Sequence, residues 1–260
     1  MEPHKERSLL FLSDVHLTGR DDARQDYLVD FLEKNKDRFD TLVLVGDIFD
    51  FWIGYKYVVY AGYLPLISQL ERLARCGKKI ILYEGNHDFL LGSYFTDALK
   101  AEVYSGPAPL DLGKYKIWIC HGDQLDSGDF IYKFFRWLLR SPLIKWSARF
   151  LHPDLLWILG NFASKRSRRR HKISEQRRAT LLAYALARFD EGFNVVMAGH
   201  LHDPFLKVVL HNNENKAVIS TGDWLEHRSA LWFRNGGFHL IPDIERNVSQ
   251  RFPLRHSEGA

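Results

Sequence analysis

The sequence predicts an α/β protein in which a parallel β-sheet is followed by more meander-like β structure. Three short apolar segments, residues 9–13, 42–45 and 79–83, alternate with two stretches of helical periodicity, residues 26–39 and 60–76. This alternation favours parallel strands joined by right-handed crossovers. A chain of 260 residues is long enough for one α/β domain that carries an additional insertion.

The two helices are indicated by the spacing of their apolar side chains. In residues 26–39, Leu28 and Leu32 are one helical turn apart and alternate with charged residues. Residues 60–76 show the same periodicity, and Gly77 is placed to end that helix.

Strands with shorter connections are predicted after Asp111. They are residues 115–120, 194–198, 205–210, 217–221, 231–233 and 238–241. The last four form two predicted hairpins, because the turn-rich stretches Asn212-Asn-Glu-Asn215 and Asn235-Gly-Gly237 separate them. The tail from Asn247 is polar, and we expect it to fray.

A helical insertion is predicted at about residues 124–190. Its segments are an amphipathic helix at 131–139, an apolar and basic stretch at 143–162, a basic cluster at 165–171 and a helix at 174–189. In the first helix, Lys133 and Arg136 lie on a different face from the apolar residues. We interpret the insertion as a lid on a single domain that spans residues 1–260.

Composition narrows the class of protein. Hydrophobic residues make up 46% and charged residues 26%, which is ordinary for a globular protein. The net charge of +4 and the pI near 8.9 favour mild attraction to anionic partners. The cysteines, Cys76 and Cys120, lie in apolar, strand-like contexts, so we expect no disulfide framework and a reducing cytosol. Neither a signal peptide nor an apolar run of roughly 18 residues is found.

Polar residues with metal-binding side chains follow the predicted strands. They are Asp14, His16, Asp47, Asn86, His121, His200 and His202. In open α/β sheets, ligands gather at the carboxyl ends of strands. Oxygen and nitrogen donors without a thiolate suit two divalent ions such as Mn, Fe or Zn better than Ca or Mg. Asp47 is the natural bridge between two ions, because a carboxylate offers two oxygens.

Each of these residues also has an ordinary structural explanation. Aspartates such as Asp14 and Asp47 often cap helices, Asn86 can form a turn, and a histidine at a strand end is more commonly a satisfied surface or core residue. Seven such residues in five segments, each directly after an apolar strand, are hard to explain by independent structural roles. The sequence therefore favours a dinuclear metal site.

The chain resembles the calcineurin-like metallophosphoesterases in the order and spacing of five motifs: Asp14-Val-His16, Gly46-Asp47, Gly85-Asn-His-Asp88, His121-Gly122 and Gly199-His-Leu-His202. The resemblance implies an α/β sandwich of two mixed β-sheets flanked by helices. One implied metal is held by Asp14, His16, Asp47 and His202. The other is held by Asp47, Asn86, His121 and His200.

Within that family, the chain is most similar to the UDP-2,3-diacylglucosamine hydrolases. The supporting stretches are Ser13-Asp-Val-His-Leu17, Gly46-Asp-Ile-Phe-Asp-Phe-Trp52, Asp88-Phe-Leu-Leu-Gly92, His121-Gly-Asp123 with Asp129 and Tyr132, and Gly222-Asp-Trp224. This similarity implies hydrolysis of the pyrophosphate bond of UDP-2,3-diacylglucosamine to UMP and 2,3-diacylglucosamine 1-phosphate, in lipid A synthesis. It also implies a cytoplasmic protein that is peripheral on the inner membrane. We expect Trp52 and Trp224 to pack under the site.

His87 departs from the best-known branch of these hydrolases, which has arginine at this position. Gly-Asn-His-Asp is the wider family's form, in which the histidine, oriented by Asp88, protonates or stabilises the leaving group. The catalytic candidates are therefore His87, Asp88 and Asp47. The alternative is a phosphodiesterase or nucleotide pyrophosphatase that acts on another, soluble substrate.

The insertion also favours a lipid substrate, but with less support than the family similarity gives. Its aromatic-rich helices can line an apolar cleft for acyl chains, and its basic faces can rest on anionic headgroups, although ordinary core packing explains them about equally well. Candidate substrate contacts are Asn86, His87, Asp129, Tyr132, Ser164, Lys165, Arg166 and Arg168. A nucleic-acid partner is not expected, because one short basic cluster is thin support. A metal-free scaffold is disfavoured by the seven ligands.

Overall fold

The computed structural model describes residues 7–19, 21–55, 57–125, 152–154, 157–158, 175–246 and 248–253. These residues form one sheet of seven strands and one sheet of five strands. Both sheets contain parallel and antiparallel pairs. The predicted fold class, two mixed sheets flanked by helices, is confirmed.

The first sheet contains the strands predicted in the N-terminal half of the chain. Its parallel part is β1 (Leu9–Leu12), β2 (Thr41–Val45), β3 (Lys79–Tyr83) and β4 (Glu102–Tyr104). The antiparallel strands β10 (Ala230–Arg234), β11 (Gly237–Asp243) and β12 (Val248–Pro253) extend it on the other side of β1. The parallel strands therefore end together at one edge of the sandwich.

The second sheet has two parallel pairs in its centre. Its strands are β5 (Ala108–Asp111), β6 (Lys116–Cys120), β7 (Val195–Ala198), β8 (Phe205–His211) and β9 (Glu214–Ser220). Strand β7 pairs in parallel with β6 and β9, while β5 and β8 are antiparallel edges. Both predicted hairpins, β8 with β9 and β10 with β11, are present.

Side chains that alternate along each strand divide the core into layers. Phe11 and Val43 of the first sheet pack against Ile119 and Met197 of the second. Their neighbours face outward, where the helices α1 (Ala23–Asn35) and α2 (Leu64–Arg75) cover the first sheet. Because the central strands are buried on both faces, they read as continuous apolar runs rather than alternating ones.

The outer face of the second sheet is covered by α4 (Glu175–Asp190). Leu181 and Phe189 of this helix are buried with Val196 of β7. The end of the predicted insertion is therefore part of the sandwich rather than of a lid. The remainder of the predicted insertion, including the helix at 131–139 and the basic cluster at 165–171, lies outside the described residues.

Two expectations are wrong. The tail predicted to fray from Asn247 contains β12, which pairs with β11 over Gly237–Asp243. Cys76 lies exposed at the end of α2 rather than in a strand, while Cys120 is buried, and both thiols are free. Three short elements escaped prediction: α3 (Ser93–Asp97), β4 and β5. In the part of the chain that the structure describes, none of the helices is long and apolar enough to cross a bilayer.

Candidate metal centre

The predicted ligands meet where the loops after β1, β2, β3, β6 and β7 converge. Five of the seven residues have positive φ: Asp14 (52°), His16 (50°), Asp47 (53°), His200 (61°) and His202 (58°). A non-glycine residue in this region costs roughly 1–3 kcal/mol and persists only where the surroundings enforce it. Such strain concentrates at functional sites, so these loops point to chemistry independently of their side chains.

Glycines allow these loops to approach one another closely. A Cβ atom on Gly85 would overlap the Asp47 carboxylate, and one on Gly199 would lie 2.7 Å from Asp14 Oδ2. A Cβ atom on Gly46 would overlap the His121 ring. The glycines of the three motifs are therefore required by the close packing of the loops around the ligands.

The described residues contain three groups of candidate ligand atoms, of which two correspond to the two implied metals. The third, His16, Asp47 and His87, shares one residue with each of them. Asp14, His16 and His202 form one group, and Asp47, His121 and His200 form another. Within each group the ligand atoms lie within 4.8 Å of one another, and all six residues are buried or nearly so. The amide oxygen of Asn86 joins the second group, 3.1 Å from His121 Nε2.

Asp47 lies between the two groups, and its two oxygens have different surroundings. Oδ1 accepts a hydrogen bond of 2.8 Å from the backbone N–H of His87. Oδ2 faces the ring nitrogens Nε2 of His121 at 3.2 Å, His16 at 3.7 Å and His87 at 4.0 Å. Oδ2 is therefore the oxygen that faces the imidazoles of the centre, while Oδ1 holds the His87 backbone.

His16 provides a test of whether the residues fit a metal. It is 1% exposed, and neither of its ring nitrogens has a hydrogen-bond partner in the described part of the chain. Burial lowers the pKa of His16, which keeps the imidazole neutral as a ligand must be. A buried neutral imidazole among carboxylates, with no thiolate nearby, fits a borderline divalent cation.

Outer contacts orient the imidazoles. The Nδ1 atom of His121 lies 3.0 Å from the Val45 carbonyl oxygen, which leaves Nε2 to face the centre. The Nδ1 atom of His202 lies 3.2 Å from Asp223 Oδ2. Metal-binding histidines commonly use their second nitrogen in this way.

Asp50 and Asp223 were not predicted as site residues. Asp50 is fully buried, and its Oδ1 atom lies 3.6 Å from His16 Nδ1. Both residues belong to stretches that carry the family resemblance, but nothing in the sequence distinguishes them from capping aspartates. Their role depends on contacts with His16 and His202 that only the fold reveals.

Opposite charges hold the ligands together in this structure. Burial alone would raise the pKa of Asp14, but the hydrogen bond and charge of His202 lower it to about 2. Burial would lower the pKa of His202, but contacts with Asp14 and then Asp223 raise it to about 10. Burial alone would raise the pKa of Asp47, but the nearby His121 lowers it to well below its usual value. Conversely, Asp47 holds the pKa of His121 well above its usual value. A divalent cation would replace these protons.

Asp88 does not occupy the role that the resemblance implied. Its carboxylate accepts hydrogen bonds from four backbone N–H groups: Asp47 at 2.9 Å, Ile48 at 2.7 Å, Phe49 at 3.3 Å and Gly85 at 2.9 Å. The Nδ1 atom of His87 lies 3.0 Å from the Asp50 carbonyl oxygen instead. Asp88 therefore holds the Asp47 turn, and the Asp50 carbonyl orients the His87 ring.

Some of the remaining candidates lie at the centre, and others lie outside the described residues. His87 is buried at the centre, and Asn86 contacts His121, as described above. Trp52 and Trp224 are each 1% exposed and donate hydrogen bonds to the carbonyls of Leu91 and Ser229, so they pack under the site as expected. The candidates outside the described residues are Asp129, Tyr132, Ser164, Lys165, Arg166 and Arg168.

A family model of calcineurin-like phosphoesterases matches residues 7–204, and the chain belongs to this family. Members of the family bind divalent metals, so the protein is a metal-dependent hydrolase with candidate metal-binding groups of aspartate and histidine.

Several relatives share the narrower resemblance. The chain is 32% identical over 223 residues to a UDP-2,3-diacylglucosamine hydrolase of Chromohalobacter salexigens, covering 83% of this chain and 88% of that one. It is 31% identical to the hydrolase of that name from Nitrosococcus oceani, covering 88% and 92%. Among solved structures, Vps29 of Entamoeba histolytica aligns with a TM-score of 0.49 at 14% identity, over 95% of this chain and 99% of that chain.

Proposed function

We propose that this protein hydrolyses the pyrophosphate bond of UDP-2,3-diacylglucosamine with two bound divalent ions, to give UMP and 2,3-diacylglucosamine 1-phosphate. The observation that carries the proposal is the pair of buried ligand groups joined at Asp47. Relatives that cover most of the chain bear the name of this hydrolase, which supports the substrate. Manganese is the proposed metal, and iron or zinc are alternatives with the same donor preferences.

The proposed ligands divide between two sites. Asp14, His16, Asp47 and His202 hold one ion, while Asp47, Asn86, His121 and His200 hold the other. Ions bound there supply Lewis-acid stabilisation of phosphoryl oxygens and a water of lowered pKa. The chain contributes fixed geometry: the His200 N–H donates to Asp14 at 2.9 Å, and the His87 N–H donates to Asp47 at 2.8 Å. These contacts tie the loops together before substrate arrives.

His87 is the proposed group that stabilises or protonates the leaving oxygen. Its Nδ1 atom lies 3.0 Å from the Asp50 carbonyl oxygen, so the opposite nitrogen, Nε2, faces the centre 4.0 Å from Asp47 Oδ2. An imidazole that is buried, oriented and aimed at the centre supports a role in general acid catalysis. Asp88 supports this arrangement through the Asp47 turn.

The proposal also includes the place where the enzyme works. Its substrate carries two acyl chains, so the reaction requires access to a lipid surface. We assign the contact with the inner-membrane face to the basic and aromatic insertion of a cytoplasmic protein. The candidate substrate contacts in this insertion, Ser164, Lys165, Arg166 and Arg168, lie outside the described part of the chain.

The decisive experiment is to incubate purified protein, stripped of metal and reloaded with Mn, with UDP-2,3-diacylglucosamine and to analyse the products. Release of UMP and the sugar 1-phosphate is expected. The Asp47→Ala variant, which lacks the shared ligand, is expected to release neither. Equal product from the Mn-loaded and metal-free wild type would contradict the proposal.

A second candidate is a phosphodiesterase or nucleotide pyrophosphatase that acts on a soluble substrate. His87 favours it, because an imidazole at this position serves leaving groups in general, whereas the arginine of the best-known lipid hydrolases does not titrate near neutral pH. Cleavage of UDP-sugars that lack acyl chains, together with no turnover of UDP-2,3-diacylglucosamine, would identify this function.

A further inference from the structure

A second cleft lies beside the metal centre, between the loops after β2 and β3 and the edge strand β4. It has a volume of about 390 Å³, which is within the range of small-molecule sites. Its walls include the apolar side chains of Ile53, Leu90 and Val103, and its rim includes the hydroxyls of Ser93 and Thr96. None of these residues belongs to the ligand groups of the metal centre.

The two loops that form one wall are held in fixed positions. The Gly54 N–H donates to the Leu90 carbonyl at 2.7 Å. Gly54 and Gly92 lie back to back, because a Cβ atom on Gly54 would be 2.6 Å from the Cα atom of Gly92. The cleft is therefore a built feature of the two loops that also carry Asp47 and His87.

Glu84 lies at the floor of this cleft. It is 6% exposed, and its Oε1 atom accepts a hydrogen bond of 3.0 Å from the Leu91 N–H. Among the described residues, no cation lies within ion-pair distance of Glu84, and its Oε2 atom has no hydrogen bond. Because Glu84 lines the cleft and its Oε2 atom keeps some exposure, a donor that enters the cleft can bind this oxygen.

The position of Glu84 links the cleft to the reacting centre. Glu84 precedes the candidate ligand Asn86 by two residues, so their Cα atoms are at most about 7.6 Å apart. A substrate whose phosphate is at the metal centre can therefore place an adjoining group in the cleft. The required group has hydrogen-bond donors next to apolar surface, as the floor and walls demand.

We infer that the cleft is a subsite for the acylated amino sugar, with Glu84 Oε2 accepting a hydrogen bond from its amide N–H or a hydroxyl. The inference rests on the proposed function. An acylated amino sugar joins donors to long apolar chains, whereas the uridine half has donors but no acyl chain to cover the apolar walls. Glu84 is then a specificity-determining residue, because a site that pairs with a donor rejects analogues that lack it.

Binding of the two product halves tests the assignment without requiring turnover. Mn-loaded wild type and Glu84→Gln are titrated calorimetrically with 2,3-diacylglucosamine 1-phosphate and with UMP, in the same detergent. Glutamine keeps the acceptor for Leu91 but replaces the second oxygen with an NH₂ group. We expect the Kd of the sugar phosphate to rise about tenfold and the Kd of UMP to stay the same.

Two further variants control the test. Glu102→Gln removes a carboxylate from the neighbouring strand β4, where Glu102 pairs with Lys79 at 2.7 Å outside the cleft, and it is expected to bind as the wild type. Thr96→Trp narrows the cleft at its exposed rim without touching Glu84, and it is expected to weaken sugar phosphate binding as well. If Glu84→Gln does not fold, this variant still tests whether the cleft binds the sugar phosphate.

The outcomes separate the subsite from the reaction. Equal weakening of both ligands in Glu84→Gln would assign Glu84 only to holding the loop, and unchanged binding of the sugar phosphate would overturn the subsite. If the wild type releases UMP from the lipid substrate in either case, the proposed function stands. A wild type that does not turn over the lipid, yet binds the sugar phosphate through Glu84, would retain the subsite and remove the reaction.

Discussion

Replacing Asp88 with asparagine separates two roles for this residue. Oδ2 accepts hydrogen bonds from the N–H groups of Ile48 at 2.7 Å and Phe49 at 3.3 Å. An asparagine NH₂ group there would face two donors. Each bond to a charged acceptor is worth about 1.5–3 kcal/mol, and one of the two is long, so we expect the free energy of unfolding to fall by about 2–4 kcal/mol. Urea denaturation followed by circular dichroism measures this change.

The same variant tests whether Asp88 acts through the Asp47 turn or through His87. If it holds the turn, stability and Mn affinity fall together with kcat. If it acts on the His87 ring, kcat alone falls, and a loss of stability below about 1 kcal/mol would refute our account of the turn. Asp97→Asn, at the exposed end of α3, is the matched control and is expected to unfold as the wild type does.

Three further results are expected. Gly85→Ala, whose Cβ atom would overlap the Asp47 carboxylate, should lower kcat/KM about 100-fold, whereas Gly106→Ala, with open space at its Cβ atom, should not; equal activities would contradict the close packing. Asp223→Ala should weaken Mn binding about 10- to 100-fold in an electron paramagnetic resonance titration, because His202 loses its outer partner; an unchanged affinity would exclude this role. Mn binding at pH 7 should release protons and strengthen as pH rises, since His121 and His202 have raised pKa values and must lose protons to bind metal; calorimetric heats that do not depend on the buffer would argue against it.

The fold was predictable wherever a local pattern matched the final environment. The parallel strands β1 to β3 are buried on both faces, so their apolar runs were visible in the sequence. Strand β12 was not, because this edge strand contains the polar run Ser249-Gln-Arg251, which resembles a frayed tail. Strands β4 and β5, of three and four residues, are too short to show a period.

The residue types of the candidate site were predictable from the sequence, but the contacts between them were not. Asp14, Asp47 and His200 could be proposed because each follows an apolar strand, and strand ends converge in this class of sheet. The contacts that orient each ligand could not be predicted. Asp50 lies next to His16, and Asp223 next to His202, only because of the way the loops fold. Asp88 accepts hydrogen bonds from backbone N–H groups rather than from the His87 ring.

Backbone contacts between the loops, and not only the ligand side chains, position the centre. Five ligand residues adopt positive φ, which is uncommon for residues other than glycine. What enforces it is a set of cross-loop hydrogen bonds: Asp14 N to the Gly46 carbonyl at 3.1 Å, His16 N to the Asp47 carbonyl at 2.9 Å, and the four N–H groups on Asp88. These bonds do not involve the ligand atoms that face the centre. The strain at the ligand residues is therefore balanced by backbone contacts of the fold, in addition to any contribution from bound metal.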